Sequence, residues 1–78
     1  MDIDIIRTAI DAMGMKVVIV EAYPEADPPF ERALTGTVRG LSDIGGVPHI
    51  HVSMPGFEND HCVSIHNIRR LEIAEYQS

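Results

Sequence analysis

Over the opening residues, apolar side chains return at three- and four-residue steps. Ile3, Ile6, Ala9, Ile10 and Met13 fall on one side, and Asp2, Asp4, Arg7, Thr8 and Asp11 on the other. That spacing predicts an amphipathic helix over residues 2–13, docked by its isoleucine stripe. Aspartates at its start suit the positive end of the helix dipole, and Gly14 is the residue type that terminates a helix in the left-handed region. From Lys16 the pattern changes. The run Lys16-Val17-Val18-Ile19-Val20-Glu21-Ala22-Tyr23 is β-branched through its centre and bounded by Gly14 and Pro24, which predicts a strand buried on both faces. Three prolines then interrupt any ladder, so residues 24–32 are expected to form an extended acidic loop pinned by Phe30.

Alternation resumes at Leu34, Gly36 and Val38 on one face against Thr35, Thr37 and Arg39 on the other, and Gly40 is placed for a bulge or sharp bend. Ser42-Asp43-Ile44-Gly45-Gly46 reads as a turn. Residues 47–54 form a third strand with Ile50, Val52 and Met54 inward and His49 and His51 together on the outer face. A loop at residues 55–60 leads to a fourth strand at His61 to Ile65, with Val63 and Ile65 inward. A fifth strand runs from Arg69 to Glu75.

Size and charge narrow the function. A chain of 78 residues forms a single domain, residues 1–78, and at this length folding buries only about 60% of the surface that the unfolded chain exposes. Self-association is one way to add to so thin a core. With two Tyr, two Phe and no Trp, that core must be aliphatic. Twelve acidic against six basic residues, a net charge of −6, disfavour broad phosphate binding and leave only a local basic edge for it. Cys62 is the one cysteine, so no intrachain disulfide forms and no CxxC metal spacing exists. The Met1-Asp2-Ile3-Asp4 opening has neither a basic leader nor a long apolar run, and a soluble cytoplasmic protein without a membrane partner is expected.

Two segments carry a family resemblance. Leu34-Thr35-Gly36-Thr37-Val38-Arg39-Gly40-Leu41-Ser42-Asp43 is similar to the first motif of the Sm-like (LSm) small barrels. Ile65-His66-Asn67-Ile68-Arg69-Arg70-Leu71 is similar to the bacterial form of their second motif. The same residues resemble a generic SH3-like barrel, in which residues 24–32 would be the long first loop. Either resemblance implies an α+β, mainly β fold: the helix, about 2–13, then a five-stranded, strongly bent antiparallel barrel over about 16–75. The Sm-like resemblance further implies a ring-forming homo-oligomer that binds single-stranded RNA at the turn holding His66, Asn67, Arg69 and Arg70, with His49 contributing from a preceding loop. Repeated around a ring, that turn would make a positive rim; alone, the two arginines could simply pair with Glu72 and Glu75.

The alternative reading rests on charge. Glu25, Asp27, Phe30 and Glu31 would form the contact surface of a protein-interaction module, or of a small inhibitor, with a basic protein partner. Catalysis is not expected. Cys62 and His61 are adjacent on a strand and point to opposite faces, which leaves Cys62 as a half-buried thiol, and the carboxylates lie mostly in loops. His49 and His51, roughly 7 Å apart on one face, could supply two metal ligands, with His61 and His66 to complete a set. Exposed or hydrogen-bonded histidines are the commoner outcome, so neither a metal nor any other cofactor is expected.

Overall fold

The computed structural model describes residues 2–74. A helix, α1 (Asp2–Asp11), leads into β1 (Lys16–Tyr23), β2 (Phe30–Ile44), β3 (Val47–Ser53) and β4 (His61–Ser64). A single 3-10 turn, η1 (Ile65–Asn67), then connects to β5 (Ile68–Ile73). The strands form one antiparallel sheet in the order β4-β3-β2-β1-β5, so the chain is α+β and mainly β. The expected closure into a barrel is not present: β4 and β5 are the two opposite edges of an open sheet. A twist of roughly 20–25° per strand curls five strands only part of the way round. The fifth strand ends at Ile73, and Glu75 lies outside the described residues.

One face of the sheet holds the core. Val17 and Ile19 of β1, Val38 of β2, Ile50 and Val52 of β3, Val63 of β4 and Ile68 of β5 are buried at alternate positions, as a one-sided antiparallel sheet requires. The prediction that β1 is buried on both faces therefore fails: Val18 and Val20 are only half-buried on the other side. The helix closes the core, but on a different face from the one its isoleucines suggest. Ala9 and Ala12 are fully buried and Ile5 packs beside them, whereas Ile3, Ile10 and Met13 remain 58%, 53% and 44% exposed. Relative to the expected stripe, the docked face is rotated by roughly a quarter turn. The small side chains let the helix axis approach β5 and η1 closely, and the isoleucine stripe would hold it off. Gly14 ends the helical segment with φ +81°, and its N–H donates to the Val38 carbonyl at 2.8 Å, tying the helix exit to the middle of β2.

β2 is longer at both ends than its alternation suggests. Phe30, Glu31 and Arg32 already pair with Tyr23, Ala22 and Glu21, so the loop shrinks to residues 24–29. At the other end Ser42, Asp43 and Ile44 pair with β3, leaving Gly45 and Gly46, at φ +61° and +83°, as a two-residue hairpin turn. The bend expected at Gly40 is a register shift between Val38 and Gly40, with Arg39 as the extra residue. A second shift, at Val20/Glu21 of β1, leaves Arg69 as the extra residue of β5. Each bulge thus carries an arginine, re-aimed out of the ladder.

Gly36 marks the tightest packing. A Cβ there would lie 2.5 Å from Val52 Cγ1 and 2.6 Å from the Ser53 carbonyl oxygen, while one at Gly40 would meet nothing within 4 Å. Urea denaturation should show Gly36→Ala losing about 1–3 kcal/mol. Gly40→Ala should stay within about 0.5 kcal/mol of the parent.

Candidate functional site

The loop at residues 24–29 and the η1 turn come together at one end of the sheet. Between them lies a groove of about 530 Å³, walled on one side by Ala22, Pro24, Pro29, Phe30 and Glu31 and on the other by His66, Asn67 and Arg69. The turn is fixed from inside and outside. Ile65 and Ile68 are buried, the Ile68 N–H returns to the Ile65 carbonyl, and the Ser64 hydroxyl accepts from the His66 N–H at 3.3 Å. The opposite wall is held by aromatic stacking, with the Tyr23 and Phe30 rings 4.9 Å apart and inclined by 24°. A second hollow of about 500 Å³ continues past Tyr23, Pro24, Glu25 and Ala26 along the other side of His66 and Asn67.

Two surfaces read from the sequence as rivals are therefore the two walls of one groove. His66, Asn67 and Arg69 face Phe30 and Glu31, and Glu25 lines the continuation. Three named residues stand apart. Asp27 lines neither hollow, and Arg70 borders a separate hollow with Val20, Glu31 and Arg69. His49 belongs to β3 rather than a loop, with its Nδ1 2.8 Å from the Val47 carbonyl. Arg69 has Glu31, rather than its sequence neighbour Glu72, as its carboxylate partner. The β5 bulge turns it across β1, and its guanidinium donates to the Glu31 carboxylate on the groove rim.

Beneath that rim lies a carboxylate that the sequence reading passed over. Glu21 is 1% exposed, on the same face as Val17 and Ile19. Its Oε1 accepts from Arg32 Nε at 2.8 Å and its Oε2 from the Tyr23 hydroxyl at 2.7 Å. The Arg32 guanidinium carbon also stands 5.9 Å from the Tyr23 ring centre. His61 Nε2, from β4, lies 3.8 Å from Oε1, too far for a hydrogen bond, and this buried nitrogen has no hydrogen-bond partner among the described residues. Tyr23 is held above its usual pKa, first by the hydrogen bond it gives Glu21 and then by burial. The Arg32 pKa is raised for the same first reason. The signal for Glu21 was the two-residue step from Val17 through Ile19.

On the outer face the histidines and cysteine take unexpected partners. Cys62 is exposed rather than half-buried, and it sits opposite His51, with Sγ 3.7 Å from Nδ1. His51 Nε2 is 2.6 Å from the Ser42 hydroxyl. Among the described residues no three His, Cys, Asp or Glu side chains converge as a metal site. None of their helices is long and apolar enough to cross a membrane. No protein-family model matches the chain, and neither a curated protein nor a solved structure matches it.

The Tyr23 assignment has an alkaline signature. A phenol whose folded pKa exceeds its unfolded value contributes stability that is complete below pH ~10 and is lost as pH rises through the folded pKa. In ultraviolet titration, the difference between wild type and Tyr23→Phe should be a transition above the usual tyrosine range. Stability of the wild type, but not of Tyr23→Phe, should then fall across that window. A Tyr23 transition at the ordinary value would refute the bond to Glu21.

Proposed function

We propose that this chain is a non-catalytic binding module that takes an extended segment of a basic protein partner in the groove between residues 24–29 and η1. One observation carries the reading: Arg69, the cation on the turn wall, is already neutralised by Glu31. That pair cancels at the rim, and what remains along the groove and its continuation is an apolar surface of Pro24, Pro29 and Phe30 beside the carboxylate of Glu25. Such a lining offers little to a phosphate backbone, whose affinity depends on free Lys and Arg. It suits a peptide that brings its own cation beside apolar side chains. The overall charge of −6 favours the same encounter.

A second reading, the Sm-like homo-oligomer with single-stranded RNA at the His66 to Arg70 turn, draws support from the sheet margins. β4 and β5 are opposite edges, so their outer backbone groups are available to strands of neighbouring copies, and head-to-tail pairing of that kind can close a ring. The leading helix, the bent β2 and the one-turn link between β4 and β5 also support a small-barrel relationship, Sm-like or SH3-like.

One set of titrations separates the two. Fluorescently labelled peptides carrying Arg or Lys among Pro and aliphatic residues should bind, and Glu25→Gln with Glu31→Gln should weaken them by roughly tenfold. Single-stranded RNA bound instead, with affinity abolished by Arg69→Ala and Arg70→Ala in a ring-sized particle, would replace the first reading with the second.

A further inference from the structure

The groove leaves the outer face of β2, β3 and β4 unexplained, and this face carries a second constellation. His51 of β3 stands directly across from Cys62 of β4 and from Gly40 of β2. The Cys62 thiol is exposed, and its sulfur lies 3.7 Å from Nδ1 and 3.9 Å from Nε2 of the imidazole. Ser42, two residues beyond Gly40 on the same face of β2, places its hydroxyl 2.6 Å from His51 Nε2. We propose that Cys62 is a thiol-modification site for small disulfides, with His51 as its base and Ser42 as the group that positions the base.

The roles follow from hydrogen-bonding chemistry. In the proposed arrangement His51 takes the tautomer whose Nε2–H donates to Ser42 Oγ, which leaves the lone pair on Nδ1; the sulfur lies nearly equidistant from the two ring nitrogens, so a turn of the exposed Cys62 side chain brings its proton onto that lone pair. A nucleophile, a base within reach and a third group that orients the base make up the arrangement that activates serine and cysteine nucleophiles, and separations in the unliganded state are often loose. Access is built in twice. Cys62 lies on an edge strand, and Gly40 places no side chain beside His51, so the space there is open. The charged residues bordering the site cancel: Arg39, in the β2 bulge, and Asp60, just before β4, are 4.0 Å apart. His49 and Ser64 form the next pair on this face of β3 and β4.

The reaction is thiol–disulfide exchange. The thiol proton passes to His51 Nδ1, and the thiolate attacks one sulfur of a disulfide R–S–S–R. A bond forms between Cys62 Sγ and that sulfur as the original S–S bond breaks. The electron pair leaves on the second sulfur, which takes the proton back from the imidazole and departs as RSH. Cys62 is oxidised to the mixed disulfide and the reagent is reduced, so no further oxidant is needed.

An aromatic disulfide with a coloured thiol product tests this on the intact chain. At neutral pH folded wild type should react at least roughly tenfold faster than the same protein unfolded in guanidinium, where Cys62 has no base. His51→Gln should remove that advantage, and Ser42→Ala, which keeps the ring, should lower the rate by a few-fold. Gly40→Leu should also slow the reaction, by filling the approach, with no change in the rate of the unfolded chain. If His51→Gln does not fold, Ser42→Ala and the folded-to-unfolded ratio still decide the matter. Equal rates for wild type and either His51→Gln or Ser42→Ala would overturn the proposal, as would a folded thiol no faster than the unfolded one.

Discussion

A carboxylate in a hydrophobic interior persists only where donors surround it, and this constraint shapes the end of the molecule that bears the groove. Glu21 occupies the third inward position of β1, after Val17 and Ile19, where the alternation of the strand would otherwise place another aliphatic residue. Leaving it unpaired would cost several kcal/mol. Its two oxygens are instead satisfied by Arg32 and Tyr23, and both partners have consequences further out. Arg32 is the cross-strand neighbour that fixes the start of β2 against the end of β1. Tyr23, held by its hydroxyl, presents its ring to Phe30, and Phe30 is part of the groove wall. A buried charge thus sets the position of an exposed aromatic.

The two bulges act on the sheet in the same spirit. An extra residue in a strand bends it and turns one side chain out of its normal direction. Here the extra residues are Arg39 and Arg69, and each reaches a carboxylate outside its own hairpin, Asp60 and Glu31 respectively. Both pairs are largely solvent-exposed, so they contribute little to stability. Their effect is on the surface potential. Each pair cancels one positive charge against one negative charge at the surface, so neither bulge arginine stands there as a free cation.

Much of this was legible beforehand, and the failures have physical causes. Lys16–Tyr23 was plain because β-branched residues and flanking breakers agree. The helix was also plain, yet its docking face was not: hydrophobicity ranks Ile10 above Ala12, whereas close approach to β5 and η1 selects the smaller residue. Phe30-Glu31-Arg32 reads as loop because Pro24, Pro28 and Pro29 precede it, yet a proline removes a donor only at its own position and the backbones of these three residues pair fully with β1. At the site, residue identities were readable and neighbours were not. Phe30 and Glu31 are more than thirty positions from His66 and Arg69, and only the β1–β5 register brings them to one groove. The same holds for Cys62, whose partner His51 is a matter of pairing across strands rather than of adjacency.

The claim on which the rest depends is that Glu21 and Arg32 interact as a pair at the end of the sheet. A double-mutant cycle measures it directly, with Glu21→Gln, Arg32→Met and the combined variant unfolded in urea at neutral pH. Arg32 is half-exposed, so the coupling should be moderate, about 1–2 kcal/mol, with the double variant less destabilised than the sum of the singles. Strict additivity of the two substitutions would contradict the account.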